Sequence, residues 1–382
     1  MKLICRRRLY SVSAHLLGFI LFVLVITPMQ LPAQQYANSP EVHSDSKVTF
    51  RYFAPAAKKV KLTGNVPLLN GNMVKDEKGI WSITVGPLKA NTYPYRFLVD
   101  GAVALDPVNR NTKAWLWMEN LVVVPANSET GEATPLHYVQ DVPHGSVTMN
   151  WYRSPRMKKT RRVFVYTPPG YQKGTDKYPV LYLLHGFGDD ASAWTRVGQA
   201  NHIFDNMLAA KRATPAIVVM PLGHDVFPES PKFEEYSVLD NMAAVEKEML
   251  EGVIPFVESN YRCKTSAADR GVAGLSMGGG QALQFGINNL DKFKWIAGLS
   301  PSIDKQRVDQ TAMKKLGDLK ESKPWLWLGC GKDDFLLQDT VKLDKWLTEN
   351  KVKHQTRFTA GAHNWRCWRS YLEEILGEVF KE

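Results

Sequence analysis

Two hydrophobic rhythms divide this chain. Between residues 42 and 124 apolar residues come in short runs, VTFRYFAP, VKLTGN, GIWSITVGPL, YPYRFLVDG and ENLVVVP, separated by Gly, Asn and Pro. Period-two alternation broken by turn residues predicts strands, and strands this short and closely spaced predict a small β-sandwich. Residues 125–145 are polar and lack periodicity, which reads as a linker, with Leu136, Tyr138 and Val139 available to lie against a neighbour. From about residue 146 the rhythm changes. RVFVYTPPG, YPVLYLLHG, AIVVMPLG, GVAGLS, WIAGLSPS, PWLWLGCG and HQTRFTAG are nearly continuous apolar strands. Between them NHIFDNMLAAKR, NMAAVEKEMLEGVIPFVESNY, GQALQFGINNL and DTVKLDKWLTENK have helical spacing. Such alternation predicts an α/β domain over 146–382, with a mostly parallel sheet covered by helices on both faces.

The first residues follow neither rhythm. A basic start, MKLICRRR, leads into the apolar run LLGFILFVLVI and then TPMQLPA, the three-part layout of a secretory signal peptide over residues 1–33. The apolar run is short of the ~20 residues a spanning helix needs. Export to the periplasm or beyond is therefore expected, with no membrane span in the mature protein. The leader carries Lys2, Arg6, Arg7 and Arg8 and no acid, so the net charge of +10 falls by four to +6 without it. A nucleic-acid surface would need many more basic residues interleaved with aromatics. The one basic cluster, RSPRMKKTRR at 153–162, reads as a solvated edge open to acidic polysaccharide. Cys263, Cys330 and Cys367 have no metal-ligand spacing. Cys330 and Cys367 flank loops that must meet; two free thiols are expected there, with a disulfide as the alternative.

The chemistry is carried by three short stretches. Gly274-Leu275-Ser276-Met277-Gly278 is a G-x-S-x-G pentapeptide between an apolar strand and a helix, the context in which such a serine is a nucleophile. The glycines are needed because the chain reverses sharply and side chains there would strike neighbouring backbone. His185-Gly186-Phe187-Gly188 ends a strong strand and matches the loop that gives one backbone N–H to an oxyanion hole. Phe187 is the expected donor, paired with Met277, and Gly188 is the alternative to Phe187. His185 lies too early in the chain to be the base of a Ser…Asp…His order, so a structural role is expected, its ring bonded to nearby backbone. Of nine histidines only His354 and His363 follow the serine. His354 opens the last strand and reads as a surface or edge residue. His363, in TAGAHNWRCW between that strand and the terminal helix, is the expected base.

These residues, together with RRVFVYTPPGY, VVMPLGH, PFVESNYR and GCGKDDFLL, make residues 146–382 resemble the esterase-D-like group of carbohydrate esterase family 1, which includes feruloyl and acetyl xylan esterases. The resemblance implies an α/β-hydrolase fold with Ser276 as nucleophile, His363 as base and an Asp after PWLWLGCG as orienting acid. The family spacing G-x-x-D, counted from Gly331, selects Asp334 over Asp333. Residues 42–124 resemble immunoglobulin-like early-set domains akin to family 48 carbohydrate-binding modules. A related domain also precedes siderophore esterases.

The combined expectation is a serine esterase that removes hydroxycinnamoyl groups from feruloylated arabinoxylan through an acyl-enzyme, with no metal or organic cofactor. Acetyl xylan and enterobactin-type siderophore esters are the alternatives. A carbohydrate-binding protein with an inactive hydrolase domain and a serine peptidase rank lower. Trp194 and Trp365 lie beside the catalytic loops, where either can stack a flat aromatic acyl group or serve the core. Trp115 and Trp117 share a strand face in the N-terminal domain, where they either meet an exposed ligand or pack in the core. Substrate-selecting loops are expected at DDASAWTRVGQ, HDVFPESPKFEEY and DKQRVDQTAMKKLGDLKESK.

Overall fold

Strands that are apolar on both faces must be covered on both faces, and the large sheet of the chain obeys this. The computed structural model describes residues 38–113, 118–127, 130–226, 237–303 and 324–381. The leader, Trp115, Trp117 and most of two candidate loops (227–236 and 304–323) lie outside the described residues. Eight strands follow in spatial order: Ser146–Arg153, Thr160–Thr167, Ile217–Pro221, Val180–Leu184, Arg270–Leu275, Trp295–Leu299, Trp325–Gly331 and Gln355–Thr359. The first two join antiparallel, as does the second to the third, and every later pairing is parallel. One apolar cluster, including Tyr182, Val219, Phe285 and Leu328, fills one side. Another, including Leu183, Trp194, Trp327 and Tyr371, fills the other. This is the α/β-hydrolase arrangement.

All seven expected strands occur, and an eighth, Ser146–Arg153, was not legible. It is an edge strand whose Val147, Met149 and Trp151 stay exposed, so its sequence carries no burial pattern. The four expected helices also form, at Ala200–Ala209, Val238–Glu248 continuing to Asn260, Met277–Asn288 and Leu337–Glu349. The second contains a π turn, Met249–Val253, immediately before Pro255. Proline cannot donate to the helical ladder, and a wider turn accommodates the break.

Residues 41–124 form two antiparallel sheets. Their inner faces meet at Val48, Phe50, Leu62, Tyr95, Phe97 and Val122, all buried. In strand Asn91–Val99 the ring of Tyr95 meets Phe50 edge-on, with centroids 4.6 Å apart, and its hydroxyl donates to Asp106 at 2.8 Å. The polar segment after residue 124 is packed rather than free: the Asn206 amide donates to the carbonyls of Leu136 (2.7 Å) and Tyr138 (2.8 Å). Val139 is the exception, exposed to solvent. The basic cluster at 153–162 is also only partly solvated. Arg161 is buried, donating to the carbonyls of Leu222 and His224, and Arg162 pairs with Asp190 at 2.6 Å.

The sandwich and the hydrolase share core. Leu121 of the sandwich belongs to the hydrolase cluster that holds Trp194 and Trp365. Beside it Arg369, on the terminal helix Trp365–Leu376, is buried and donates to Val197 O (2.6 Å) and to Asn91 Oδ1 of the sandwich. Burial pulls this guanidinium down to about 10. Arg369→Ala strips donors from three acceptors, Val197 O, Asn91 Oδ1 and Thr92 O. Asn91 Oδ1 keeps the Thr92 N–H, whereas an orphaned buried acceptor such as Val197 O costs roughly 1–3 kcal/mol. Scanning calorimetry should show a loss of about 1–3 kcal/mol in stability; an unchanged melting temperature would remove Arg369 as a link between the domains.

Candidate active site

Ser276 sits at the apex between strand Arg270–Leu275 and helix Met277–Asn288, with φ 53° and ψ −118°. A non-glycine residue in that region carries strain of about 1–3 kcal/mol, retained only where the surroundings enforce it. They do so here. Ser276 N–H donates to Leu299 O (2.9 Å), and its carbonyl accepts from Gly280 and Ser302. A Cβ at Gly274 would lie 2.3 Å from Gly278 O, and one at Gly278 would lie 2.4 Å from His185 O. Both glycines of the pentapeptide are therefore needed for backbone approach.

Three parallel strands bring the remaining groups to the same edge of the sheet. Asp334 leaves the end of Trp325–Gly331, and His363 leaves the loop after Gln355–Thr359. His363 Nε2 lies 3.0 Å from Ser276 Oγ, and Nδ1 lies 2.9 and 3.0 Å from the two oxygens of Asp334. A proton on Nδ1, donated to the carboxylate, leaves the Nε2 lone pair facing the serine. Burial pushes Asp334 up. The His363 hydrogen bond and charge, the Leu336 N–H and the Ser300 hydroxyl outweigh it and hold the carboxyl below its ordinary value. Asp333 is exposed. The next residue, Asn364, caps the terminal helix by accepting from Arg366 (3.1 Å) and Cys367 (3.4 Å), which fixes where His363 leaves the loop.

The HGFG loop lies opposite. His185 is buried; its Nδ1 donates to Gly186 O (2.8 Å) and its Nε2 accepts from Gly223 N–H (2.9 Å), so the ring is a backbone prop as expected. Burial pulls its pKa down, consistent with a neutral imidazole. Phe187, Gly188 and Met277 all line the cavity in front of Ser276. Met277 opens its helix, where the ladder uses no N–H of the first turn.

That cavity holds about 440 Å³, within the usual range for small-ligand sites. Its apolar wall is Phe187, Leu275, Met277, Phe335, Trp365 and Trp368. Phe335 is 75 % exposed and leans on the His363 ring, centroids 4.5 Å apart. Trp368 meets the same ring edge-on at 4.9 Å and donates from Nε1 to Ser300 Oγ (3.1 Å). Neither was expected from the sequence, although an aromatic directly after the acid pair was a usable signal.

One expectation is corrected. Trp194 does not reach the cavity: it is fully buried, and its Nε1 donates to Leu184 O at 2.9 Å. It is core, packed edge-on against Trp365 at 5.2 Å, and Trp365 alone of the two lines the cavity. His354 immediately precedes the edge strand, as expected, and is held there by bonds to Asp344 Oδ1 (3.0 Å) and Val352 O (2.8 Å). Cys263, Cys330 and Cys367 are free and buried.

The esterase family model matches residues 154–379, and carbohydrate-binding module 48 (isoamylase N-terminal domain) matches 37–111. An endo-1,4-β-xylanase/feruloyl esterase of Xylanibacter ruminicola is 29% identical over 94% of this chain, which spans about half (47%) of that relative's length. A solved ferulic acid esterase is similar with TM-score 0.53 and 25% identity, covering 62% of this chain and 98% of its own. The enterobactin esterase of Shigella flexneri shares the fold across both domains, with TM-score 0.65 and 20% identity, covering 87% of this chain and 93% of its own. With an α/β-hydrolase domain behind a module-48-like sandwich, and with more than half its length under the first model, the chain belongs to the esterase family.

Proposed function

We propose that this chain is an exported serine carboxylic ester hydrolase that removes feruloyl and related hydroxycinnamoyl groups from plant cell-wall arabinoxylan or its oligosaccharides. The observation that carries the acyl preference is the aromatic wall of Phe335, Trp365 and Trp368 around a cavity of about 440 Å³. It is much larger than an acetyl group needs and suits a flat ring. The feruloyl esterase similarities support the same choice.

In this reading His363 Nε2 takes the proton of Ser276 Oγ as that oxygen attacks the ester carbonyl carbon. The carbonyl oxygen becomes an oxyanion, held by the N–H groups of Phe187 and Met277. Asp334 keeps the proton on Nδ1 and stabilises the imidazolium. The intermediate collapses, the sugar alkoxide leaves, and His363 returns the proton to it. Water, deprotonated by His363, then attacks the acyl carbon; ferulate departs and Ser276 regains its proton. The carbonyl carbon is neither oxidised nor reduced, so acid–base and nucleophilic groups suffice for the steps.

The test is an ester panel. Methyl ferulate and feruloyl-arabinose should be cleaved, and Ser276→Ala should abolish release of ferulate. Turnover of acetylated xylan with no ferulate release would replace the proposal with acetyl xylan esterase. Opening of a cyclic catecholate trilactone alone would replace it with a siderophore esterase. Within the same assay, Asp334→Asn should lower kcat on the order of 10⁴-fold, whereas Asp333→Asn should stay near wild type. The reverse pattern would overturn the assignment of the acid.

A further inference from the structure

The cavity has a second wall that the hydrolase domain does not supply. Asn65, Pro94, Lys113 and Glu119 line it, and all four come from the sandwich. Lys113 ends the short strand Thr112–Lys113 and sits opposite Glu119 in the antiparallel pair. Its ammonium lies between two carboxylates: Glu119 Oε2 at 3.1 Å on its own sheet, and Asp189 Oδ1 at 3.3 Å across the domain boundary. The side chains are little exposed, 10 % for Lys113, 17 % for Glu119 and 9 % for Asp189. Burial alone would pull the ammonium down, but Asp189 and Glu119 hold it above its ordinary value.

Asp189 is no incidental partner. It closes the HGFG turn by donating its N–H to Gly186 O (3.2 Å), and Phe187 lies inside that turn. Its other oxygen, Oδ2, lies 3.7 Å from where a Cβ on Gly186 would be. The next residue, Asp190, pairs with Arg162 of the hydrolase at 2.6 Å. Two adjacent carboxylates thus hold the loop through two cations, one from each domain. Without Lys113, the carboxylates of Asp189 and Glu119 would face each other with no charge between them, and repulsion at short range in a poorly solvated site would act directly on the turn that carries Phe187.

We propose that Lys113 is a positioning residue for the oxyanion-hole loop, so that the sandwich is a working part of the active site rather than only an appended module. The proposal rests on the serine esterase reading. Losing one oxyanion donor lowers kcat by about 10²–10³-fold, so a displaced donor should cost about 10–100-fold. Full-length Lys113→Met, assayed on an aryl ester, should show that fall in kcat with KM within about threefold. Affinity for phenylboronic acid, whose tetrahedral adduct with Ser276 places an oxygen in the hole, should fall in parallel. Lys113→Arg should recover most of both. If Lys113→Met misfolds by circular dichroism, Lys113→Gln replaces it; it also removes the charge between the two carboxylates and should give the same fall. A folded variant with unchanged kcat, or one that raises KM alone, would overturn the proposal. An inactive wild type would instead overturn the esterase reading itself, which keeps the two failures distinct.

Discussion

The site depends on one strained residue. At φ 53° Ser276 has a backbone that its own chemistry disfavours, and it persists because Gly274 and Gly278 let strand and helix close to contact around it. That geometry lifts Oγ out of the sheet toward His363 and starts a helix directly behind it. Everything else is arranged by neighbouring parallel strands. Since Trp295–Leu299, Trp325–Gly331 and Gln355–Thr359 run in the same direction as the serine's strand, their following loops emerge on one edge. Asp334 and His363 come from adjacent strands, which is why residues 29 positions apart in sequence lie 2.9 Å apart in space.

Much of this was legible because it rests on local rules. The glycine spacing around Ser276 and the apolar strands each carry their reason in a few residues. The choice of Asp334 over Asp333 rests on the family resemblance, through its G-x-x-D spacing from Gly331; the alternation of neighbouring residues leaving a strand implies only that one of the two, not both, reaches the imidazole. What was not legible depends on packing between distant segments. Trp194 and Trp365 looked equivalent beside their loops, but one points down beneath Leu184 and the other faces the cavity. No local pattern separates them. The same holds for Lys113, whose partner Asp189 is 76 residues away in a different domain.

The sandwich illustrates how a polar boundary can be part of a site. Leu121 is buried in the hydrolase cluster, Arg369 reaches back to Asn91, and the polar segment at 125–145 is held by Asn206. Composition alone reads such a segment as linker, since its hydrogen bonds are to backbone and leave no hydrophobic period. A cavity lined by residues of both domains also means that both shape its volume. Phe335, Trp365 and Trp368 stand on one side, with Asn65 and Pro94 on the other.

In the proposed reading, strain and the His363 contact single out Ser276 as the activated hydroxyl among the described residues. Labelling with a small fluorophosphonate, followed by intact mass and peptide mapping, tests it most directly. A single adduct per chain is expected on the peptide that carries Ser276, formed far more slowly in His363→Ala. A stoichiometric adduct on another residue, or labelling of Ser276 at an undiminished rate without the histidine, would contradict it.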